Sequence, residues 1–588
     1  MKNVKLFSFA LAVLMLGACS SDEVAVNDGQ QGPDWNTSGK GYINLAIQLP
    51  TQPNTRAWED GSNFDDGTPA EYEVNNATLI LFAGEEGSEV VNSAYAMDLN
   101  FSSEDPANDQ ITTSAKITQE INSISATSIK ALVVLNNNGI IKVGEGAQLQ
   151  DAAGTNLTGK TIADLNTALQ SASATANWHA DGWLMSNAVM ATAQGGTVAP
   201  TNANVSGPLV DIDASKIHKT KGEADADPAA TIYVERAEGK VTLTAEAGTT
   251  TDGSNLAYTI NGWALDNTSK KNYLVRDVTS FATWKGYSSR YVSPADYRMI
   301  GNASIATGLY RVYWAEDANY SGALTPANEY TTVGGAHATI DAGLLAADGE
   351  AAGYCFENTT DLTNMTEQNL TRVIVKATFN GGTAFYTVDG DRSEVWTEAN
   401  VKTEAAARLV AVPEINAWIE ANLTAGQTFN SATDLEITLS NEAAGARTIT
   451  AVALSEAGEA KFADGTVFYG DDNADAVTIA NDHITLDYYA GGAAYYPVYI
   501  AHFGQTQTLW TAEQQSGTEI YGNNPSDYLG RWAVVRNNWY DVSVTGIKSL
   551  GAPNVEEVTN EPVDKKESFI SVNINVLSWA KRTQSVEL

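Results

Sequence analysis

Histidines, the side chains most often used in metal sites and catalytic triads, number only five in this chain of 588 residues and are scattered, whereas acidic residues are too numerous for any pair to stand out. Zinc sites and hydrolytic triads need histidines close to other ligands. The acids Asp471, Asp472 and Asp475 have the alternating spacing of a calcium loop, but Ala476 stands where that loop needs a glycine. We therefore expect a solvated turn there, with calcium binding as the alternative, and no cofactor, metal or enzymatic activity. The histidines are His179, His218, His337, His483 and His502.

Cys19 follows a basic start and a short apolar run, Leu6 to Leu16. These features are typical of an export signal, and the run is too short to span a membrane. The residues before and including Cys19 resemble a bacterial lipobox, in which the cysteine is lipidated and becomes the first residue. An ordinary signal peptide is the alternative. If Cys19 is lipidated, only Cys355 remains, so we expect no disulfide within the chain.

The overall charge limits the partners that this chain can bind. Its formal net charge is −37, which repels the phosphate backbone of nucleic acids. Hydrophobic residues make up 43% of the chain and charged residues only 18%, a balance typical of a globular protein and not of a disordered acidic tail. We expect no binding to nucleic acid.

Arg56 is the only basic residue between Lys40 and Lys116. It follows a predicted strand and two prolines, in a loop that continues into an acidic and glycine-rich stretch. A trypsin-like cut between Arg56 and Ala57 would release the lipidated tether together with that strand. The sequence therefore predicts a processing site here, and an ordinary exposed arginine is the alternative.

The two ends of the chain carry strands with the same aliphatic alternation. A strand removed by cleavage would leave an open sheet edge, which a similar strand from another chain could fill. The alternative is that each strand belongs to its own sheet. The displaced first strand would present Ile43, Leu45, Ile47 and Leu49, and the donor strand Ile570, Val572, Ile574 and Val576.

Short strands dominate the predicted secondary structure, with two helices: one near Thr161 to Leu169 with a capping box and one starting at Pro413. This pattern favours a mainly all-β fold with two β-sandwich domains and a few short helices. The predicted organisation is a signal peptide (1–19), a propeptide (20–56), an N-terminal sandwich (57–255), a C-terminal sandwich (256–550), and a linker with the donor strand (551–588).

Two C-terminal segments resemble a known family. Tyr495 to Ile500 and Trp532 to Val542 are similar to the C-terminal signature of the fimbrillins that build type V pili, most closely the shaft subunit of Mfa-type short fimbriae. The resemblance implies two transthyretin-like sandwiches, export as an outer-membrane lipoprotein and cleavage by an arginine-specific protease. It also implies polymerisation by donor-strand exchange into a surface fimbrium.

The sequence thus favours a structural shaft subunit that supports adhesion. Its expected partners are copies of itself, anchor and tip fimbrial subunits, the protease, and host or bacterial surface ligands. A monomeric surface glycan-binding lipoprotein is the alternative, because aromatic side chains can stack on sugars. The candidates for such a platform are Trp178, Trp183, Trp532 and Trp539.

Overall fold

The fold is that of a computed structural model, and every structural statement below concerns the residues that it describes. These residues are 32–52, 64–65, 68–99, 101, 114–171, 178–192, 207–279, 300–306, 308–321, 324–334, 338–361, 363–441, 445–469, 474–502, 529–563, 568–579 and 581–582.

The N-terminal part of the chain is built from short strands whose apolar side chains alternate or lie buried on both faces. The strands are β1 (Lys40–Gln48), β2 (Thr51–Gln52), β3 (Phe64–Asp65), β4 (Ala77–Gly84), β5 (Val90–Met97), β6 (Ser114–Asn122), β7 (Ser128–Leu135), β8 (Ile141–Val143), β9 (Leu149–Asp151), β10 (Met185–Asn187), β11 (Met190–Ala191), β12 (Val210–Asp211) and β13 (Ala230–Arg236).

One large sheet encloses the N-terminal core. Its strand order is β5-β4-β7-β10-β13-β1-β6, with β12 beside β7. The sheet curls until its two ends approach, and the backbone N–H of Asn122 in β6 donates to the Tyr95 hydroxyl of β5 over 2.9 Å. The inner face packs aliphatic side chains such as Leu79, Val133 and Ile232 into a single cluster.

The second part of the chain continues with strands of similar length. They are β14 (Glu238–Ala245), β15 (Gly248–Thr249), β16 (Ala257–Asp266), β17 (Thr268–Ser269), β18 (Ile300–Ala306), β19 (Leu309–Val312), β20 (Tyr330–Thr331), β21 (Asp348–Phe356), β22 (Arg372–Phe379), β23 (Phe385–Val388), β24 (Asp391–Trp396), β25 (Leu435–Leu439), β26 (Gly445–Arg447), β27 (Ile449–Leu454), β28 (Leu486–Tyr489), β29 (Ala493–Tyr499), β30 (Asn538–Ile547), β31 (Ile570–Trp579) and β32 (Lys581–Arg582).

Two of the resulting sheets pack face to face as a β-sandwich. One has the order β21-β14-β30-β31-β3 and the other β15-β16-β22-β29. Side chains from both, including Val241, Trp263, Val375 and Tyr540, form the C-terminal core. Since β14 already belongs to this sandwich, the chain leaves the N-terminal sheet near Ala237, earlier than the predicted boundary at 255.

A third packed unit interrupts the C-terminal sandwich between β22 and β29. Its strands β23–β28 surround helices and have a hydrophobic core of their own, with Val401, Leu409 and Ile437 at its centre. The sequence analysis did not separate this unit. The α-helices of the whole chain are α1 (Ile162–Leu169), α2 (Lys221–Ala226), α3 (Pro326–Glu329), α4 (Glu398–Ala411), α5 (Pro413–Asn422), α6 (Ser431–Asp434), α7 (Glu456–Glu459) and α8 (Ala474–His483).

The mainly β fold class is confirmed, as are both predicted helices. In α1, the Thr161 hydroxyl accepts a hydrogen bond from the Asp164 backbone N–H, and the Asp164 carboxylate accepts one from the Thr161 backbone N–H, which is the predicted capping box. In α5, Pro413 stands in the first turn, where its missing N–H costs nothing.

Candidate functional site

The first strand, β1, lies inside the N-terminal sheet between two other strands. It pairs in parallel with β13, where Leu45 lies opposite Ala230, and antiparallel with β6 along its whole length, from Lys40 opposite Asn122 to Gln48 opposite Ser114. Its predicted aliphatic face points into the N-terminal core. The side chains on that face are at most 1% exposed, and they are Ile43, Leu45, Ile47 and Leu49.

The opposite face of β1 is tied to β6 by hydrogen bonds between side chains. The Tyr42 hydroxyl donates to the Glu120 carboxylate over 2.7 Å, and this bond raises the pKa of Tyr42. The Asn44 amide donates to the Thr118 hydroxyl over 2.8 Å. These hydrogen bonds explain why polar side chains are tolerated on this face of a strand that lies inside a sheet.

The strand β6 depends on β1 for its place in the sheet. Within the described strands, β6 has β1 as its only ladder partner, and β1 has β13 on its other side. Removal of β1 would therefore open a groove with the backbone edge of β13 on one side and that of β6 on the other. Both edges would expose unpaired N–H and C=O groups.

The predicted lipidation and cleavage residues lie outside the described residues. These are Cys19, Arg56 and Ala57. The chain is described up to β2 and again from β3, so the loop with Arg56 runs between these two short strands.

The C-terminal strand β31 lies in its own C-terminal sandwich. It pairs antiparallel with β30, with Ile574 opposite Val542. Ile570 and Ile574 are buried in the C-terminal core, and Val572 packs against it. Val576 is part of the strand. The aliphatic face of this strand therefore fills the core of its own sandwich, and the same pattern would also suit a groove elsewhere.

The terminal strand lies near the edge of its sheet, whereas β1 lies inside its sheet. Beyond β31 in the sheet, the described residues supply only the two-residue strand β3, opposite Ser578 and Trp579. The next segment, β32, pairs in parallel with β2. The end of the chain thus pairs with the segments on both sides of the loop that contains Arg56.

The segment between β30 and β31 is docked onto the C-terminal sandwich. Val555 is buried, and its backbone N–H donates to the Ala338 carbonyl over 2.8 Å. Val563 is buried against Met365 and Tyr499. The predicted linker is therefore much shorter than 551–567.

Buried ion pairs hold the two sandwiches together, and the sequence analysis did not identify them. The Lys240 ammonium lies 2.9 Å from the Glu71 carboxylate, and Arg276 lies 2.5 Å from Glu235. Burial opposes ionisation of Glu71, but Lys240 and the Tyr354 hydroxyl outweigh it and lower its pKa. Separating the sandwiches would leave buried charges unpaired, so these pairs favour one fixed arrangement.

The match to a protein family falls in this C-terminal region. Residues 487–585 match the family model described as the fimbrillin C-terminal region of the major fimbrial subunit protein type IV. That match includes β29, β30 and the terminal strand β31. The C-terminal region of this chain is therefore similar to that of fimbrillins. This similarity supports the role of a structural pilus subunit.

Several solved structures are weakly similar to this chain. A fimbrilin, FimA, of Porphyromonas gingivalis W83 has 13% identity and a TM-score of 0.35, and it covers 92% of this chain and 99% of its own. The tip fimbrial protein Mfa3 of the same species has 8% identity, a TM-score of 0.26, and coverages of 92% and 100%. A fimbrial assembly protein from Parabacteroides distasonis has 8% identity, a TM-score of 0.23, and coverages of 58% and 84%. No curated protein matches by sequence.

The aromatic residues that could form a sugar platform serve as packing residues in this protein. Trp178 is buried against Phe356, with ring centroids 5.1 Å apart. Trp183 stacks on His179, and Trp532 packs edge-on against Tyr499. The fourth candidate, Trp539, has the Lys240 ammonium 3.7 Å from its ring centroid.

Two further sequence expectations concern metals and membranes. Asp471 and Asp472 lie outside the described residues, and Asp475 is exposed in α8. Over the described ranges, no group of three or more histidine, cysteine or acidic side chains could hold a metal ion. Among the helices of the same ranges, none has the length and apolar character needed to cross a membrane.

Proposed function

We propose that this chain is a fimbrillin and the shaft subunit of a surface fimbria, exported as an outer-membrane lipoprotein through Cys19 and cleaved between Arg56 and Ala57. Cleavage removes β1, and the terminal strand β31 of another copy takes its place by donor-strand exchange. Anchor and tip subunits complete the fimbria, an arginine-specific protease makes the cut, and adhesion to host or bacterial surface ligands is the outcome.

The position of β1 between two strands carries this proposal. Cleavage at Arg56 cuts the chain after β1, so the strand is no longer covalently joined to the strands β13 and β6 between which it lies. Loss of its four buried aliphatic side chains removes roughly 6–12 kcal/mol of gross hydrophobic stabilisation. A strand with the same aliphatic alternation would restore most of this hydrophobic stabilisation to a subunit with such an open groove.

The edge position of β31 supports its role as donor. In its own sandwich it has one full-length partner strand, whereas a strand in the β1 groove has two. Exchange would therefore add a second hydrogen-bonded ladder. Because β32 pairs with β2 and β31 pairs with β3, and β2 and β3 flank the cleavage site, proteolysis would also loosen the contacts that hold the end of the chain.

The shaft role follows from having both elements in one chain. A tip subunit has little use for a donor strand at its C-terminus, and an anchor subunit must keep its first strand. The alternative, a monomeric glycan-binding lipoprotein, is less well supported because its four candidate tryptophans pack against other side chains.

The experiment is to replace Arg56 and to sequence the N-terminus of the surface protein. Wild-type polymer should begin at Ala57. Arg56→Ala should accumulate as a lipidated monomer, without the ladder of heat-resistant oligomers that polymer forms on a gel. Thr55→Ala is the matched control and should be processed normally. Arg56→Lys distinguishes an arginine-specific protease, which leaves it uncut, from a trypsin-like protease. Polymer that still begins at Cys19 would contradict the proposal.

A further inference from the structure

The first and last strands match position by position over eight residues, in the order in which each strand runs. Two of the matched pairs are identical isoleucines, and most of the others conserve size or polarity. The segment Tyr42-Ile43-Asn44-Leu45-Ala46-Ile47-Gln48-Leu49 aligns with Phe569-Ile570-Ser571-Val572-Asn573-Ile574-Asn575-Val576.

The inward positions of β1 accept the aligned residues of the terminal strand without crowding. Leu45 is fully buried, and the aligned Val572 is one methylene smaller. Ile43 is also fully buried, and its aligned residue is an isoleucine. Oversized side chains in a packed core force rearrangement, and at the inward positions this alignment introduces none; on the opposite face it places Asn573 at the site of Ala46, which is 6% exposed.

The outward position of Asn44 has a polar defect that the aligned residue removes. Asn44 is 5% exposed beneath α2, and its Oδ1 is buried without a hydrogen-bond partner in the described part of the chain. A buried acceptor without a partner costs about 1–3 kcal/mol. Ser571 has a single hydroxyl, which can donate to Asp225 or Thr118 and leaves no amide oxygen behind. Thr118 already hydrogen-bonds Asp225.

Other registers place unsuitable residues in buried positions. A shift of one residue turns the aliphatic face to solvent. A shift of two in one direction puts Ser578 at the site of Leu49 and Ile570 at the site of Gly41. A side chain at Gly41 would meet Ile217 at 2.9 Å. The opposite shift of two puts Ser568 at the fully buried site of Ile43, where its hydroxyl would lose its solvation.

We propose that the terminal strand of a second copy occupies the groove between β13 and β6 in the register of β1, with Ser571 opposite Thr118 and Asn573 opposite Lys116. This assignment rests on the proposed donor-strand exchange and adds the register of the donor strand and the residues that determine that register. Thr118 of β6 is then the residue that selects a small polar side chain from the donor.

Cysteine pairs test the register. Chains with Thr118→Cys and chains with Ser571→Cys are processed separately, mixed, allowed to assemble and oxidised. Residues directly opposite each other in antiparallel strands have Cβ atoms about 4.5–5.5 Å apart, close enough for a disulfide. We expect a disulfide-linked dimer on a non-reducing gel. Cys355 is 5% exposed, and its burial raises the pKa of its thiol, so it will not compete.

Matched controls place the second cysteine two residues to either side. Phe569→Cys and Asn573→Cys should cross-link to Thr118→Cys at least tenfold less than Ser571→Cys. A stronger cross-link from either control would overturn the register while leaving strand exchange intact. Polymer in which none of the three pairs cross-links would exclude this groove, and absence of processed polymer in the wild type would refute the proposed function itself. Each single variant must first form normal ladders.

Discussion

The strands β1 and β31 have nearly the same pattern of side chains but different positions in their sheets. β1 lies between β13 and β6 and joins them, whereas β31 lies near the edge of the C-terminal sandwich with one long partner. Loss of β1 separates two strands, but loss of β31 shortens a sheet. The comparison teaches that a strand's pattern determines which grooves it fits, while its position determines what its removal leaves behind.

The largest expected effect comes from removing the terminal strand. Truncation after Glu567 should abolish ladders and also lower the stability of the C-terminal sandwich, because Ile570, Val572 and Ile574 leave its core. Three aliphatic side chains correspond to roughly 4–9 kcal/mol of gross stabilisation. Thermal unfolding and ladder formation measure the two effects. Truncation after Arg582 is the control and should preserve both; unchanged stability after truncation at Glu567 would contradict the observed packing.

A single charge in the terminal strand should have a smaller but similar effect. Ile574→Asp places a carboxylate in an apolar environment in either location of the strand, at a cost of several kcal/mol, so processing continues and polymer is lost. Asn573→Asp introduces the same charge on the other face of the strand, where the residue is exposed in its own sandwich and would lie opposite Lys116 in the proposed register, and it is the matched control. Ladder assays with both variants test this, and equal loss in the two would mean that burial of the aliphatic face is not the cause.

A substitution in β1 separates the precursor from the polymer. Leu45→Ala leaves a cavity in the N-terminal core and should lower the unfolding free energy of the precursor by about 2–5 kcal/mol. Polymer from the same gene should have wild-type stability, because the altered strand is removed with the propeptide. Leu79→Ala in β4 is the control and should weaken both forms. If Leu45→Ala weakens the polymer as well, β1 stays in the mature subunit.

The smallest expected effect is a pH dependence at the junction of the two sandwiches. The His179 ring lies 2.9 Å from the Glu238 carboxylate, and this hydrogen bond outweighs partial burial and raises the pKa of His179. Protonated His179 therefore stabilises the folded state at pH values below its unfolded pKa, and that contribution disappears as the pH rises through its folded pKa. As the pH is raised from about 5.5 to about 8.5, the unfolding midpoint should fall less in His179→Gln than in the wild type. If the variant shows the same pH dependence of stability as the wild type, groups other than His179 cause that dependence.

The sequence alone determined the strands, the aliphatic faces of both terminal strands and the two helices with caps. These follow from local rules: side chains alternate along a strand, and a capping box or an early proline starts a helix. The C-terminal signature was also readable, since Tyr495 to Ile500 and Trp532 to Val542 fall within the matched region.

Only the tertiary structure decided where each strand lies and which charges meet. The alternation of Ile570 to Ile574 fits any apolar groove, so the pattern cannot tell the strand's own sandwich from that of a neighbour. The pair of Lys240 and Glu71 joins residues far apart in the chain, and no spacing rule relates them. The packed unit between β22 and β29 escaped detection for the same reason: its core forms from contacts across the whole insertion.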